Sequence, residues 1–230
     1  VDVAPHYGLL SVQGPKAAEV VAALGIFGAL PEKEFQSVKA SDTTLGDLYL
    51  VNLRRVGLPG FDVFVPVAAM GAVADKLTAA AKQSGGGAGG WEALETARIE
   101  AGVPRYGADM DESNLPQEAG IESRAVSFNK GCYLGQEVIN RIRSFGQVAR
   151  TLRGLRLPDD LPALPAHGDK LLKEGKEVGY LTSVVKSPAL KAHIALGYVR
   201  KECNLVGTGL VLHCSSGEWP ADIVELPFVR

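Results

Sequence analysis

Lys130-Gly131-Cys132-Tyr133-Leu134-Gly135-Gln136-Glu137 places one thiol beside a cation, between two glycines, at the predicted start of a helix. From Gln136 onward Val138, Ile139 and Ile142 fall on one helical face, and Glu137 precedes Arg141 at the spacing of an ion pair one turn apart. Unpaired backbone N–H groups and the positive end of a helix dipole favour thiolate over thiol, and Lys130 adds a full charge nearby. Cys132 and Lys130 are therefore candidate catalytic residues. The same spacing also fits a small buried hydrophobe at a turn shaped by glycine. Glu100 is the second candidate: it lies at the C-terminal end of a predicted helix, where a negative charge opposes the dipole, so it is either a surface residue or held there for a purpose. Asp109, Asp111 and Glu112 cluster, but without the spacing of a calcium loop they read as a solvated loop. His6, His167, His193 and His213 show no metal-ligand spacing, and Cys203 and Cys214 read as structural.

The elements that must position these residues follow from periodicity and turn signals. Tyr7-Gly8-Leu9-Leu10-Ser11-Val12 reads as an internal strand, ended by Gln13-Gly14-Pro15, with Pro15 in the first turn of a helix carrying Ala17, Ala18, Val20, Val21 and Leu24. Strands at 45–51 and 61–65 flank a Gly/Pro turn, and a helix follows from Val67 to about Lys82. The glycine-rich run 84–90 lacks the Lys-Ser/Thr ending of a phosphate loop and is a flexible connection. Trp91 to Ala101 reads as a helix capped by Gly102. From Arg150 short strands alternate with turn signals, at 152–157, 170–172, 178–185, 194–199 and 209–212, the pattern of a small barrel or sandwich. The fold class is thus α+β, with residues 1–149 as one region and 150–230 as a C-terminal antiparallel β-barrel.

Composition narrows the function classes. The 230 residues carry a net charge of −2, with 46% hydrophobic and 7% aromatic content, and give no basic footprint for nucleic acid. No apolar run reaches the roughly 18 residues of a membrane span, and no signal peptide opens the chain. Three irregularly spaced cysteines suit a reducing compartment, which predicts a cytoplasmic protein, or a matrix protein if the source has mitochondria.

The order of motifs resembles a known family. Gln13-Gly14-Pro15, the run Arg98-Ile99-Glu100-Ala101-Gly102-Val103-Pro104-Arg105-Tyr106-Gly107, Leu115-Pro116-Gln117-Glu118-Ala119-Gly120 and the Lys-Gly-Cys-Tyr-x-Gly-Gln-Glu segment together resemble the YgfZ-type branch of the glycine-cleavage T-protein (aminomethyltransferase) superfamily. The first three motifs are shared with the aminomethyltransferase; the cysteine segment marks the YgfZ-type branch. The resemblance implies a tetrahydrofolate-binding fold and an accessory role in iron–sulfur cluster assembly or repair, with iron–sulfur client or assembly proteins as partners. Alternatives are an aminomethyltransferase-like enzyme passing a one-carbon unit to tetrahydrofolate, and a noncatalytic interaction scaffold.

Carried over residue by residue, the resemblance places Glu100 at the pterin end of the folate, where a carboxylate accepts paired N–H bonds from the ring. Arg98 then pairs with a loop carboxylate or with the folate tail, Tyr106 stacks on the pteridine or caps the core, and Arg55, with Arg54, meets the glutamate tail or stays a surface residue. Cys132 is the signature thiol, able to ligate a cluster iron transiently, accept an adduct or exchange disulfides. Relatives carry a segment before the position of Val1, so the chain is expected to be a fragment or one half of a split protein, completed by an N-terminal segment or a second chain.

Overall fold

The computed structural model describes residues 2–146 and 148–229, and the chain divides into two compact units, 1–94 and 95–230. In the first, strands β1 (Tyr7–Gln13), β2 (Ser37–Asp42), β3 (Gly46–Asn52) and β4 (Gly60–Pro66) form an antiparallel sheet in the order β1-β4-β3-β2. Register aligns Leu10 with Val63, Val63 with Leu50, and Leu50 with Val38, so the period-two alternation of each strand sends one apolar row to the same face. That face packs against Val20 and Val21 of helix α1 (Ala17–Ala22) and Val73 and Leu77 of helix α2 (Met70–Gln83). Each fully buried Val or Leu contributes about 1.5–3 kcal/mol. The sheet corrects two expectations. β1 is an edge strand, not an internal one: Leu10 and Val12 turn to the core while their neighbour Leu9 stays 43% exposed. β2 is invisible to patterning, because an edge strand needs only Val38 to reach the core and the rest of Ser37–Asp42 is polar or small.

The second unit holds the C-terminal part of helix α3 (Trp91–Glu100), helices α4 (Glu122–Ala125) and α5 (Gln136–Phe145), and the barrel. Gly102 ends α3 in the left-handed region at φ +67°: its N–H donates to Ile99 O and that of Val103 to Arg98 O, both at 2.8 Å, the double closure that glycine permits. Strands β5 (Arg150–Leu157), β6 (Lys170–Lys173), β7 (Lys176–Ser187), β8 (Ala192–Arg200), β9 (Gly209–Cys214) and β10 (Gly217–Val224) close in the order β10-β5-β8-β7-β6-β9. Closure leaves no unpaired edge in this sheet. Strand β10 has no clear strand signature in the sequence because it contains Pro220, which lacks a ladder donor.

β8 is buried on both faces. Ala195 and Val199 belong to the interior cluster, whereas Ile194, Leu196 and Tyr198 pack outside it with Leu152 and Ile99 of α3. The barrel thus begins at Arg150, but the compact unit that contains it begins at Glu95, since α3 and the following loop are bonded to its strands. Among the described residues no helix is long and apolar enough to cross a membrane.

Candidate functional site

The end of α3 is built around Arg98, which is only 3% exposed. A guanidinium has five N–H donors, and here each has an acceptor. Nε and Nη2 donate to Glu95 Oε2 at 3.2 and 2.7 Å, Nη1 to Asp109 Oδ2 and, at 3.4 Å, to Val103 O, and Nη2 also to Ser183 Oγ at 2.7 Å. Asp109 is buried as well, and accepts from Arg105 N–H at 3.0 Å and Thr182 Oγ1 at 2.6 Å. Thr182 and Ser183 reach this pair from the β-bulge in β7, where the register against β8 shifts between Leu181 and Ser183. A bulge re-aims successive side chains that a regular strand would send to opposite faces. Arg98 therefore takes the loop carboxylate of its two expected partners, with no donor left for a folate tail. Asp109, expected in a solvated loop, is instead the anion of this buried clamp. Asp111 does stay in the exposed loop, where hydrogen bonds from Ser113 hold its carboxyl below the usual range.

Two residues beyond Arg98 on the same helix, Glu100 is treated differently. Its Oε1 accepts from Ser187 Oγ at 2.5 Å, and its backbone carbonyl accepts from Phe228 and Val229 N–H at 2.9 and 3.1 Å. No cation neutralises it among the described residues. An ionised carboxylate offers about four lone-pair positions, so one hydroxyl donor leaves room for a second, bidentate partner. Tyr106 lies on the following loop, 64% exposed, its hydroxyl donating to Glu112 Oε2 at 3.2 Å; that bond raises the phenol's pKa and leaves the ring uncovered.

Cys132 is exposed, which excludes the buried-hydrophobe alternative. Gly135, at φ +88°, starts α5, and Gln136 Oε1 accepts from Tyr133 N–H at 3.3 Å. The Lys130 ammonium lies over the Tyr133 ring, 4.6 Å from its centroid, a cation–π contact. The expected Glu137–Arg141 pair is not formed; Arg143 instead stacks on Phe128 at 3.9 Å. Cys214, as expected of a structural residue, is buried in the barrel interior, with Cys203 packed against the same cluster.

Arg55 belongs to the first unit and is bound to the buried Asp62: Nε donates to both carboxylate oxygens at 2.9 Å and Nη2 to Oδ2 at 2.5 Å, while Ser11 Oγ donates to Oδ1 at 2.8 Å. Arg54 beside it is exposed. The structure thus places Arg98 and Glu100 at one helix end, Tyr106 on the loop that follows it, Lys130 and Cys132 on the segment before α5, and Arg55 in the turn between β3 and β4 of the first unit. A cavity of about 410 Å³ also opens on the barrel between Arg150, Tyr180, Tyr198, Arg200, Glu177 and Glu202. Arg150 is engaged there by Glu118 at 3.3 Å and Tyr180 at 3.2 Å, and burial pushes the Tyr198 phenol well above its ordinary pKa. Ser187 and the bulge residues carried no sequence signal, since their partners Glu100, Asp109 and Arg98 lie far away along the chain.

Comparison with known proteins agrees with this architecture. Residues 1–130 match the family described as the GCVT N-terminal domain, and residues 150–230 the glycine cleavage T-protein C-terminal barrel domain. Proteins named aminomethyltransferase from Symbiobacterium thermophilum and a Nostoc species are 32% and 31% identical over 100% of this chain, which covers 61% and 59% of them. The crystal structure of glycine cleavage system aminomethyltransferase T from Bartonella henselae superposes with a TM-score of 0.81 at 25% identity, over 97% of this chain and 60% of that one. The chain therefore spans about three-fifths of the length of the curated relatives it matches.

Proposed function

Because the chain belongs to the glycine cleavage T-protein family, we propose that it binds tetrahydrofolate through Glu100 and serves, as a YgfZ-type accessory factor, in the assembly or repair of iron–sulfur clusters. The carrying observation is the contrast on α3: Arg98 is fully engaged, whereas Glu100 keeps an un-neutralised carboxylate fixed by a single hydroxyl. A pterin presents an N–H and an amino group side by side, and a carboxylate accepts both. The exposed Tyr106 ring is a stacking surface for the pteridine. The YgfZ-type assignment is supported by the Lys130 to Glu137 segment, whose thiol is open to a partner. One thiolate supplies one ligand to an iron and not a cluster site, so Cys132 acts on a client's cluster or thiol rather than holding its own. Such chemistry belongs in a reducing compartment, the cytoplasm or the mitochondrial matrix.

Calorimetric titration of the full-length protein with tetrahydrofolate tests the reading. Glu100→Gln removes the charge and keeps the shape, so affinity should fall by about 1.5–3 kcal/mol, the range for hydrogen bonds to charged groups. An unchanged dissociation constant would remove Glu100 from the site, and no binding at all would leave an interaction scaffold. The names of the relatives favour a second reading, an aminomethyltransferase-like enzyme. Formation of methylene-tetrahydrofolate from an aminomethyl-carrying glycine-cleavage intermediate separates the two: turnover supports the enzyme, and binding without turnover the accessory factor.

A further inference from the structure

We infer that Ser187 is a positioning residue for pterin recognition, holding the Glu100 carboxylate ready without neutralising it; the inference rests on the folate reading above. Ser187 ends β7 and is 0% exposed. Its hydroxyl has one proton and two acceptor lone pairs. Leu190 N–H points at it from 3.0 Å and can only donate, while Glu100 Oε1 lies 2.5 Å away on a carboxylate that, when ionised, can only accept. The direction of the bond is therefore forced: the Ser187 proton lies toward Glu100.

The main chain of Glu100 is fixed independently by the Phe228 and Val229 N–H groups, in a C-terminal segment that packs closely on Gly102 and Gly154. A Cβ at Gly154 would lie 2.8 Å from Leu226 and 2.9 Å from Phe228, so glycine there is what lets the segment approach. Backbone and side chain of Glu100 are thus both oriented before any ligand arrives, removing the rotamer freedom that a long acidic side chain would otherwise lose on binding. A neutral donor suits this task. A charged donor in its place would, as Arg98 does at Asp109, engage the charge that the pterin needs.

The test is a double-mutant cycle on tetrahydrofolate affinity in the full-length protein, with Glu100→Gln, Ser187→Ala and the double variant. Positioning predicts that Ser187→Ala weakens binding roughly tenfold, and that the same change adds almost nothing once Glu100→Gln is present. The fragment p-aminobenzoylglutamate, which lacks the pterin, should bind all variants alike. Equal losses from Ser187→Ala in both backgrounds, or a loss shared by the fragment, would reduce Ser187 to a structural tie and overturn the inference while leaving Glu100 in place. An inert Glu100→Gln would take Glu100, and Ser187 with it, out of the folate site and overturn the inference, whereas failure of the parent to bind tetrahydrofolate would overturn the folate reading itself. Should Ser187→Ala fail to fold, Ser187→Cys keeps the side-chain shape, slightly enlarged, with a much weaker donor and carries the same expectations.

Discussion

Replacing Asp109 with alanine should lower the stability of the barrel unit by about 3 kcal/mol, near the low end of the range of about 3–5 kcal/mol for breaking a buried ion pair. The substitution deletes the acceptor of three bonds, from Arg98 Nη1, Arg105 N–H and Thr182 Oγ1. The low end applies because the losses are cushioned: Glu95 still binds Arg98 through Nε and Nη2, Ser183 still accepts from Nη2, and Thr182 still reaches Leu196 O at 3.1 Å. What remains is a buried guanidinium missing its most buried counter-charge. For a chain of this size about 3 kcal/mol is a fall in melting temperature of roughly 6–12 °C. Thermal unfolding followed by circular dichroism, backed by urea titration, measures it. Asp109→Asn keeps the shape and an acceptor for Thr182 and should lose about half as much. A fall of under about 2 °C for Asp109→Ala, with unchanged cooperativity, would show that the clamp does not hold α3 to the barrel.

The Glu95 carboxyl gives a pH signature: burial acts to raise it, but the hydrogen bonds from Arg98 and Arg105 outweigh burial and hold it below its ordinary value of 4.5. A carboxyl depressed in the fold stabilises above that ordinary value and loses its contribution as pH falls through the folded one, so Glu95→Gln should flatten the acid decline of the melting temperature; an unaltered slope would exclude Glu95 as a contributor. Gly179→Ala should be severely destabilising, since its Cβ would sit 2.1 Å from Tyr198 O across the β7–β8 ladder and backbone cannot step aside; a melting temperature within about 2 °C of the parent would contradict that spacing. Brief iodoacetamide treatment with peptide mapping should label exposed Cys132 before half-buried Cys203 and buried Cys214, and the reverse order would misplace the segment before α5.

Local chemistry determined a good part of this protein. Period-two runs set β1, β3 and β4, the glycine-capped apolar helix set α3, and turn spacing after Arg150 marked a barrel, because strands and helix ends are encoded within a few residues of themselves. The same is true of the cysteine segment, whose glycines and Gln136 set the start of α5. Which partners the candidate residues take is set by tertiary contacts. Arg98 and Glu100 stand two apart on one helix end, yet the first is neutralised by a clamp completed by Ser183, 85 residues on, and the second is oriented by Ser187, 87 residues on. No local pattern foretells a bulge in β7 that turns Thr182 and Ser183 toward the same ion pair, or the burial of β8 on both faces. Which carboxylate is paired with a cation and which is held by a hydroxyl alone depends on groups that only chain closure brings within hydrogen-bond distance.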